Sequence, residues 1–167
     1  NSAVAAAKAA YQDWRKTPAP KRGEIIFRAA QLLAERKEEI ARDMTREMGK
    51  VLAEARGDVQ EGIDMSFFMA GEGRRLTGEV VPVEHPNKFG MDVREPLGVV
   101  AAICPWNFPM AIPTWKLMPA LVAGNTVVFK PASETPLVAY HLVQILAEAG
   151  IPEGVVNLVF GPGDSVG

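Results

Sequence analysis

The sequence predicts an α/β fold: a parallel sheet with flanking helices, preceded by an N-terminal helical segment and a β-ribbon arm. Three observations predict it. Residues 2 to about 75 carry apolar positions at helical spacing with charges between them. Residues 78 to 95 hold short β-branched pieces separated by Pro-Asn and Phe-Gly turn signals. From residue 96 onward, apolar strand-like runs alternate with helical stretches, an order that right-handed crossovers convert into a parallel sheet.

Composition bounds what such a fold does. The chain has 167 residues, 48% apolar and 23% charged, which suffices for one good-sized core. A formal charge of −2 gives no reason to expect a nucleic-acid partner or an anionic membrane surface. The longest apolar run, Leu97 to Cys104, is closed by Pro96 and Pro105 and falls far short of the roughly 20 residues that span a bilayer. The start, "NSAVAAAKAAYQDW", lacks the apolar core of a signal peptide. A single cysteine, Cys104, excludes an internal disulfide and fits a reducing compartment, so a cytoplasmic protein is expected. His85 and His141 stand far apart with no cysteine cluster, so no metal site is expected.

Taken in order, residues 1–77 form the helical part. In "KRGEIIFRAAQLLAERKEEIARDM", Ile25, Ala29, Leu32, Leu33 and Ile40 fall near helical spacing; "TPAP" starts the pattern and Gly49 breaks it. A further pattern runs from Val51 towards Arg75, with Met65, Phe68 and Met69 on one face as core packing. Residues 78–95 form the ribbon. Pro82 and Pro86 exclude a central strand and make it an edge or a protruding arm.

Residues 96–167 form the parallel part. "LGVVAAIC" reads as a strand buried on both faces. A helix over about 110–123 ends at Gly124, and "TVVFK" is the second strand. Thr135 as cap and Pro136 at the first position start a helix that Gly150 ends. "VVNLVF" is the third strand and "GPGDSVG" the turn after it.

In open α/β sheets ligands bind beyond the carboxyl ends of the strands. Here those ends carry "PWN", "KPASE" and "GPG", brought to one edge by topology. Gly161, Gly163 and Gly167 space as G-x-G-x-x-x-G, one residue longer than the usual dinucleotide fingerprint, and fit a plain turn as well as a phosphate cradle. Lys130 ends a strand and fits either a solvated cap or a donor to ribose hydroxyls or phosphate. Asn107, between Trp106 and Phe108, fits either a turn residue or a preorganised amide aimed at an oxyanion, which is worth about 3 kcal/mol in acyl chemistry.

The block "PWNFPMAIPTWKLMPALVAGNTVVFKPASETP" resembles the aldehyde dehydrogenase superfamily, and the similarity runs across the whole chain, including "LAERKEEIARDMTREMGK" and "VREPLGVVAAICPWNFP". Those enzymes oxidise aldehydes to carboxylic acids with NAD or NADP through a cysteine-bound thiohemiacetal and thioester. The resemblance implies a Rossmann-like cofactor domain. It also implies that Asn107 helps hold the oxyanion and that Lys116 supports it from the helix behind. Phe108 and Trp115 would line the aldehyde tunnel. Pro105, Trp106, Lys130, Ser133, Glu134, Gly163 and Gly167 would serve the cofactor, with Lys130 reaching the adenosine ribose. The ribbon arm would join subunits into a homodimer or homotetramer.

Two departures from the family pattern matter. NAD-preferring members usually carry Glu three residues after the lysine; here Ser133 stands there, with Glu134 one place on, so NADP is expected to be accepted. Members that grip succinate semialdehyde often have an arginine at Trp115, so apolar or aromatic aldehydes are expected over dicarboxylic semialdehydes. Cys104 ends a buried strand and is expected to be inert packing rather than the nucleophile. The family's nucleophilic Cys, its general-base Glu and its second glycine motif have no counterpart in these residues. The stretch alone is therefore expected to be inactive, its parent an aldehyde dehydrogenase; the competing reading is a non-catalytic truncated dinucleotide-binding or oligomerisation module. A phosphorylating relative of the glutamate-semialdehyde reductase type fits less well, because it lacks the PWNFP…W…KP combination.

Overall fold

The computed structural model describes residues 1–167. Four helices come first: α1 (Ser2–Trp14), α2 (Ala19–Glu35), α3 (Lys37–Met48) and α4 (Leu52–Glu72). A ribbon of β1 (Val80–Val81) and β2 (Gly90–Met91) follows. The remainder runs β3 (Val99–Ile103), α5 (Ala111–Val122), β4 (Thr126–Lys130), α6 (Pro136–Glu148) and β5 (Val156–Leu158). Strands β3, β4 and β5 pair in that order and in parallel, with Ile103 opposite Lys130 and Phe129 opposite Leu158.

The core lies between α2, α3, α4, α5, α6 and one face of this sheet. Ile26, Leu33, Ile40, Leu117, Leu121, Phe129 and Leu142 are fully buried in it, each worth about 1.5–3 kcal/mol of transfer free energy. The opposite sheet face is only partly covered. Helix α1 lies over its amino end, where the Thr126 hydroxyl donates to the Ala7 carbonyl at 3.0 Å. Towards the carboxyl end this face opens into a groove of about 430 Å³, lined by Ile103, Val128, Lys130 and Val159 among others.

Four expectations need correction. The run through "AERKEEI" is broken at Arg36 (φ −99°, ψ 9°), which separates α2 from α3. No glycine or proline marks the break; Arg36 instead donates to Glu148 at the end of α6, at 2.6 and 2.8 Å. On α4 the buried stripe is Ala55, Val59, Gly62, Ile63, Ser66 and Ala70, so Phe68 turns outward and is 56% exposed. Strand β3 is not buried on both faces: Ala102 and Cys104 face the core, whereas Ala101 and Ile103 face the open groove. Thr135 does not cap α6 through its hydroxyl. The Glu47 carboxylate of α3 accepts from the Leu137 and Val138 N–H groups instead, at 2.5 and 3.1 Å.

The other boundaries fall where local chemistry puts them. Gly49 ends α3 with φ 79° and Gly150 follows α6 with φ 103°, the left-handed positions that close helices. Pro136 opens α6 and the ribbon turns at Asn87 with φ 60°. No helix is long and apolar enough to cross a membrane.

Candidate functional site

Parallel pairing brings the three strand ends to one edge. Beyond β3 the chain turns outward through Pro105, Trp106 and Asn107, all exposed, before diving into α5. The Asn107 side-chain amide donates to nothing within the chain, while its backbone carbonyl accepts from Lys50 Nζ at 2.6 Å. The Lys50 ammonium also donates to Asp58 Oδ2 at 2.9 Å and sits 4.1 Å from the centre of the Phe108 ring. Asp58 Oδ1 accepts from the Ala111 N–H at 2.8 Å and the Met110 N–H at 3.3 Å, at the start of α5. A carboxylate there complements the positive end of the helix dipole. The result is a cavity of about 410 Å³ whose wall includes Asn107, Phe108, Lys50, Glu54 and Glu61.

Lys130 closes β4 and points into the groove beside β3 and β5. It is 8% exposed, and its ammonium donates only to the neighbouring Pro131 carbonyl, at 3.1 Å. An ammonium offers three donors, so this one retains capacity for acceptor oxygens. Gly167 lines the same groove. Ser133 lies in a separate cavity of about 250 Å³ with Phe160, Gly161 and Pro162; Glu134, next along, is exposed. At Gly163 nothing stands within 4 Å of where a Cβ would project, so that side of the residue is open, while Gly167 lies against its carbonyl.

On α5, Lys116 donates from Nζ to the Ile103 carbonyl at 2.6 Å and so ties the helix to the end of β3. Trp115 beside it is 43% exposed. Pro119 lacks the N–H that would bond the Trp115 carbonyl, which interrupts the helical ladder at that residue. Cys104 is 5% exposed, and burial pushes its thiol up, with Lys116 opposing only in part. A protonated, enclosed thiol is a poor nucleophile.

Five of the residues singled out from sequence line three separate cavities rather than one cleft, and Pro105, Trp106, Trp115, Lys116, Glu134 and Gly163 line none of the three. Asn107 and Phe108 share the first, Lys130 and Gly167 the second, Ser133 the third. Chemically, the edge offers a free amide, a buried ammonium with unpaired donors and a glycine open on one side, all suited to a ligand rich in oxygen acceptors. Two residues of the site escaped sequence reasoning, Lys50 and Asp58. A faint signal existed for the second: a carboxylate on the stripe that carries Ala55, Val59 and Gly62 must find partners.

The model of the aldehyde dehydrogenase family matches residues 1–167. The α-ketoglutaric semialdehyde dehydrogenase of Bacillus subtilis (strain 168) is 50% identical over 99% of the chain and 34% of its own length. Among solved structures, an NADP-dependent enzyme of E. coli superposes with a TM-score of 0.95 at 41% identity, over 98% of this chain and 34% of that one. An NAD-dependent aldehyde dehydrogenase from Sinorhizobium meliloti gives 0.94 at 38% identity, over 98% and 33%. The chain spans about a third of the length of the curated relatives it matches.

Proposed function

The chain belongs to the aldehyde dehydrogenase family, and from that premise we propose that it supplies the first part of an enzyme that oxidises an aldehyde to a carboxylic acid with NAD or NADP. The family match over the whole chain carries this reading. The unpaired donors at Lys130 and the open side of Gly163 support it, since ribose hydroxyls and phosphates would meet both. A bound nicotinamide dinucleotide supplies the hydride acceptor.

The residues present here have defined parts in that reading. Lys130, Ser133, Gly163 and Gly167 hold the adenosine end, with Pro105 and Trp106 beside it and Glu134 at its margin. Asn107 presents its amide to the oxygen that gains charge when a nucleophile attacks the carbonyl. Lys116 supports it by pinning α5 to β3. Phe108 and Trp115 give the aldehyde an apolar approach, which strengthens a hydrogen bond made there. The nucleophile is not Cys104, which is buried and protonated. Ser133 carries no charge, so a 2′-phosphate is tolerated and NADP is accepted.

The expectation of apolar or aromatic aldehydes over dicarboxylic semialdehydes runs against the names of the relatives, and two facts bear on it. The B. subtilis relative is named for a carboxylate-bearing semialdehyde, so such a substrate is the first to try. Glu54 and Glu61 stand beside Asn107, and Lys50 is paired with Asp58. A substrate carboxylate is therefore gripped by residues outside this stretch, or not used. The ribbon, with Val80, Phe89 and Val93 exposed, joins subunits into a homodimer or homotetramer.

The test is cofactor reduction by the full-length protein, followed by absorbance, with semialdehydes, hexanal and benzaldehyde, each with NAD and NADP. Aldehyde-dependent reduction that yields the acid supports the reading. Binding of NADP without turnover of any aldehyde would favour a non-catalytic module.

A further inference from the structure

We propose that Lys50 and Asp58 are positioning residues that set the Asn107 amide, an inference that rests on the role given to Asn107 above. Asn107 lies on an exposed loop, and an amide donor works only when held within about 0.5 Å of its productive place. The loop has no regular structure of its own to hold it. What holds it are contacts from residues far away in the chain.

Lys50 enters from the turn after Gly49, and Asp58 from the second turn of α4. Their side chains are 8% and 0% exposed. The Asp58 carboxylate fixes the start of α5 with one oxygen and the Lys50 ammonium with the other. Lys50 then takes the Asn107 carbonyl and lies against the Phe108 ring. Asn107 is thereby fixed on its own carbonyl and again three residues later, and its amide is left free. One turn beyond Asp58, a Cβ on Gly62 would meet Met110 Cγ at 2.8 Å. Helices α4 and α5 are therefore in close contact there, and the pair acts across a gap with no slack.

A buried ion pair with a purely structural role would look similar in a static picture, because breaking one partner of such a pair destabilises any protein. The two roles separate kinetically. If Lys50 acts through Asn107, removing both residues costs little more than removing Asn107 alone. If it only stabilises the fold, the losses multiply.

The experiment uses the full-length protein with K50M, K50R, N107A and the double variant. K50M is expected to lower kcat by roughly 30- to 100-fold, less than loss of the donor itself. The KM for NADP should change far less than kcat, by no more than a few fold, because Lys130, Ser133, Gly163 and Gly167 lie at the other strand ends and only Pro105 and Trp106 share the Asn107 loop. K50R, which keeps the charge and the N–H donors, should regain most of the loss. Adding K50M to N107A should cost less than about threefold. Full multiplication of the two losses overturns the proposal, as does K50M with wild-type kcat.

A second readout is independent of turnover: amide hydrogen exchange. K50M should speed exchange across residues 105–111 and leave the sheet strands protected. Unchanged exchange there overturns the proposal even if no substrate is found, whereas a wild type that reduces neither cofactor overturns only the functional reading. Should K50M fail to fold, D58N takes its place. Its amide oxygen still accepts from Met110 and Ala111, but it has lost the charge that holds Lys50.

Discussion

Two polar groups at the residue scale are left with unused hydrogen-bonding capacity at the strand ends, and both are donors. The Asn107 amide is free because its backbone, not its side chain, is held. The Lys130 ammonium is enclosed with one carbonyl partner. If the amide stabilises a developing oxyanion, N107A lowers kcat by about 10²–10³-fold, in line with loss of one oxyanion donor, and leaves KM for the dinucleotide near its wild-type value. Steady-state kinetics of the full-length protein decides; an N107A enzyme with wild-type kcat removes Asn107 from the chemistry. Ser133 carries a separate prediction. S133E places a carboxylate where a 2′-phosphate would sit, and like charges in contact cost several kcal/mol. The ratio of kcat/KM for NADP to that for NAD should fall by at least about tenfold. An unchanged ratio would mean that Ser133 does not see the 2′-position.

Among the elements, α3 carries polar ties to both α6 and α4. Its Glu47 carboxylate serves the amino end of α6, where Thr135 fails to cap. E47A should cost about 1 kcal/mol of stability, the usual worth of a helix cap, and E47Q should recover part of it. A urea transition that does not move in E47A would show that water replaces the cap. Glu38 on the same helix accepts from Arg56 of α4 and Arg42, which hold its carboxyl down to about 2 from an ordinary 4.5. A lowered folded-state value stabilises above the unfolded value and is lost as the carboxyl protonates. The stability gap between wild type and E38Q should therefore persist at neutral pH and close as pH falls from about 4.5 to about 2. A gap that is constant over that range would show that the pair contributes through packing.

These elements also show where sequence was legible. Strands β3 and β4, helices α5 and α6 and the ribbon turn were readable because glycine, proline and apolar runs act locally. The break at Arg36, the Glu47 cap and the Lys50–Asp58 pair were not. Lys50 and Asp58 are eight positions apart, but the bonds that give all three features their role join residues 52 to 112 positions apart, and no local pattern encodes such a partner. The resemblance of the sequence to the family singled out Asn107 as a candidate; its contact with Lys50 was visible only in the fold.

At the scale of the whole molecule, the arm carries a dense run of exposed apolar residues. Val80, Phe89, Met91 and Val93 are 58–76% exposed on a ribbon whose strands have two residues each. A two-stranded ribbon is marginal by itself in water, and this one has only short-range support. The Asp92 N–H donates to the Glu79 carbonyl at 3.0 Å and Arg94 donates to the Thr77 carbonyl at 3.0 Å. Neither β1 nor β2 packs extensively against a helix. In the proposed assembly the ribbon gains its order from a partner surface, for which a second copy of the same protein is always present at equal concentration. The full-length protein should therefore run as a dimer or tetramer in light scattering coupled to size exclusion. Val80 and Met91 face each other across the ribbon, so V80K combined with M91K places two like charges side by side on its apolar surface. That pair of changes should shift the assembly to a smaller species and should leave the Asn107 and Lys130 ends of the sheet, on other elements, folded. A wild type that elutes as a clean monomer would remove the arm from assembly, and its apolar surface would then have to be covered by other residues of the same chain.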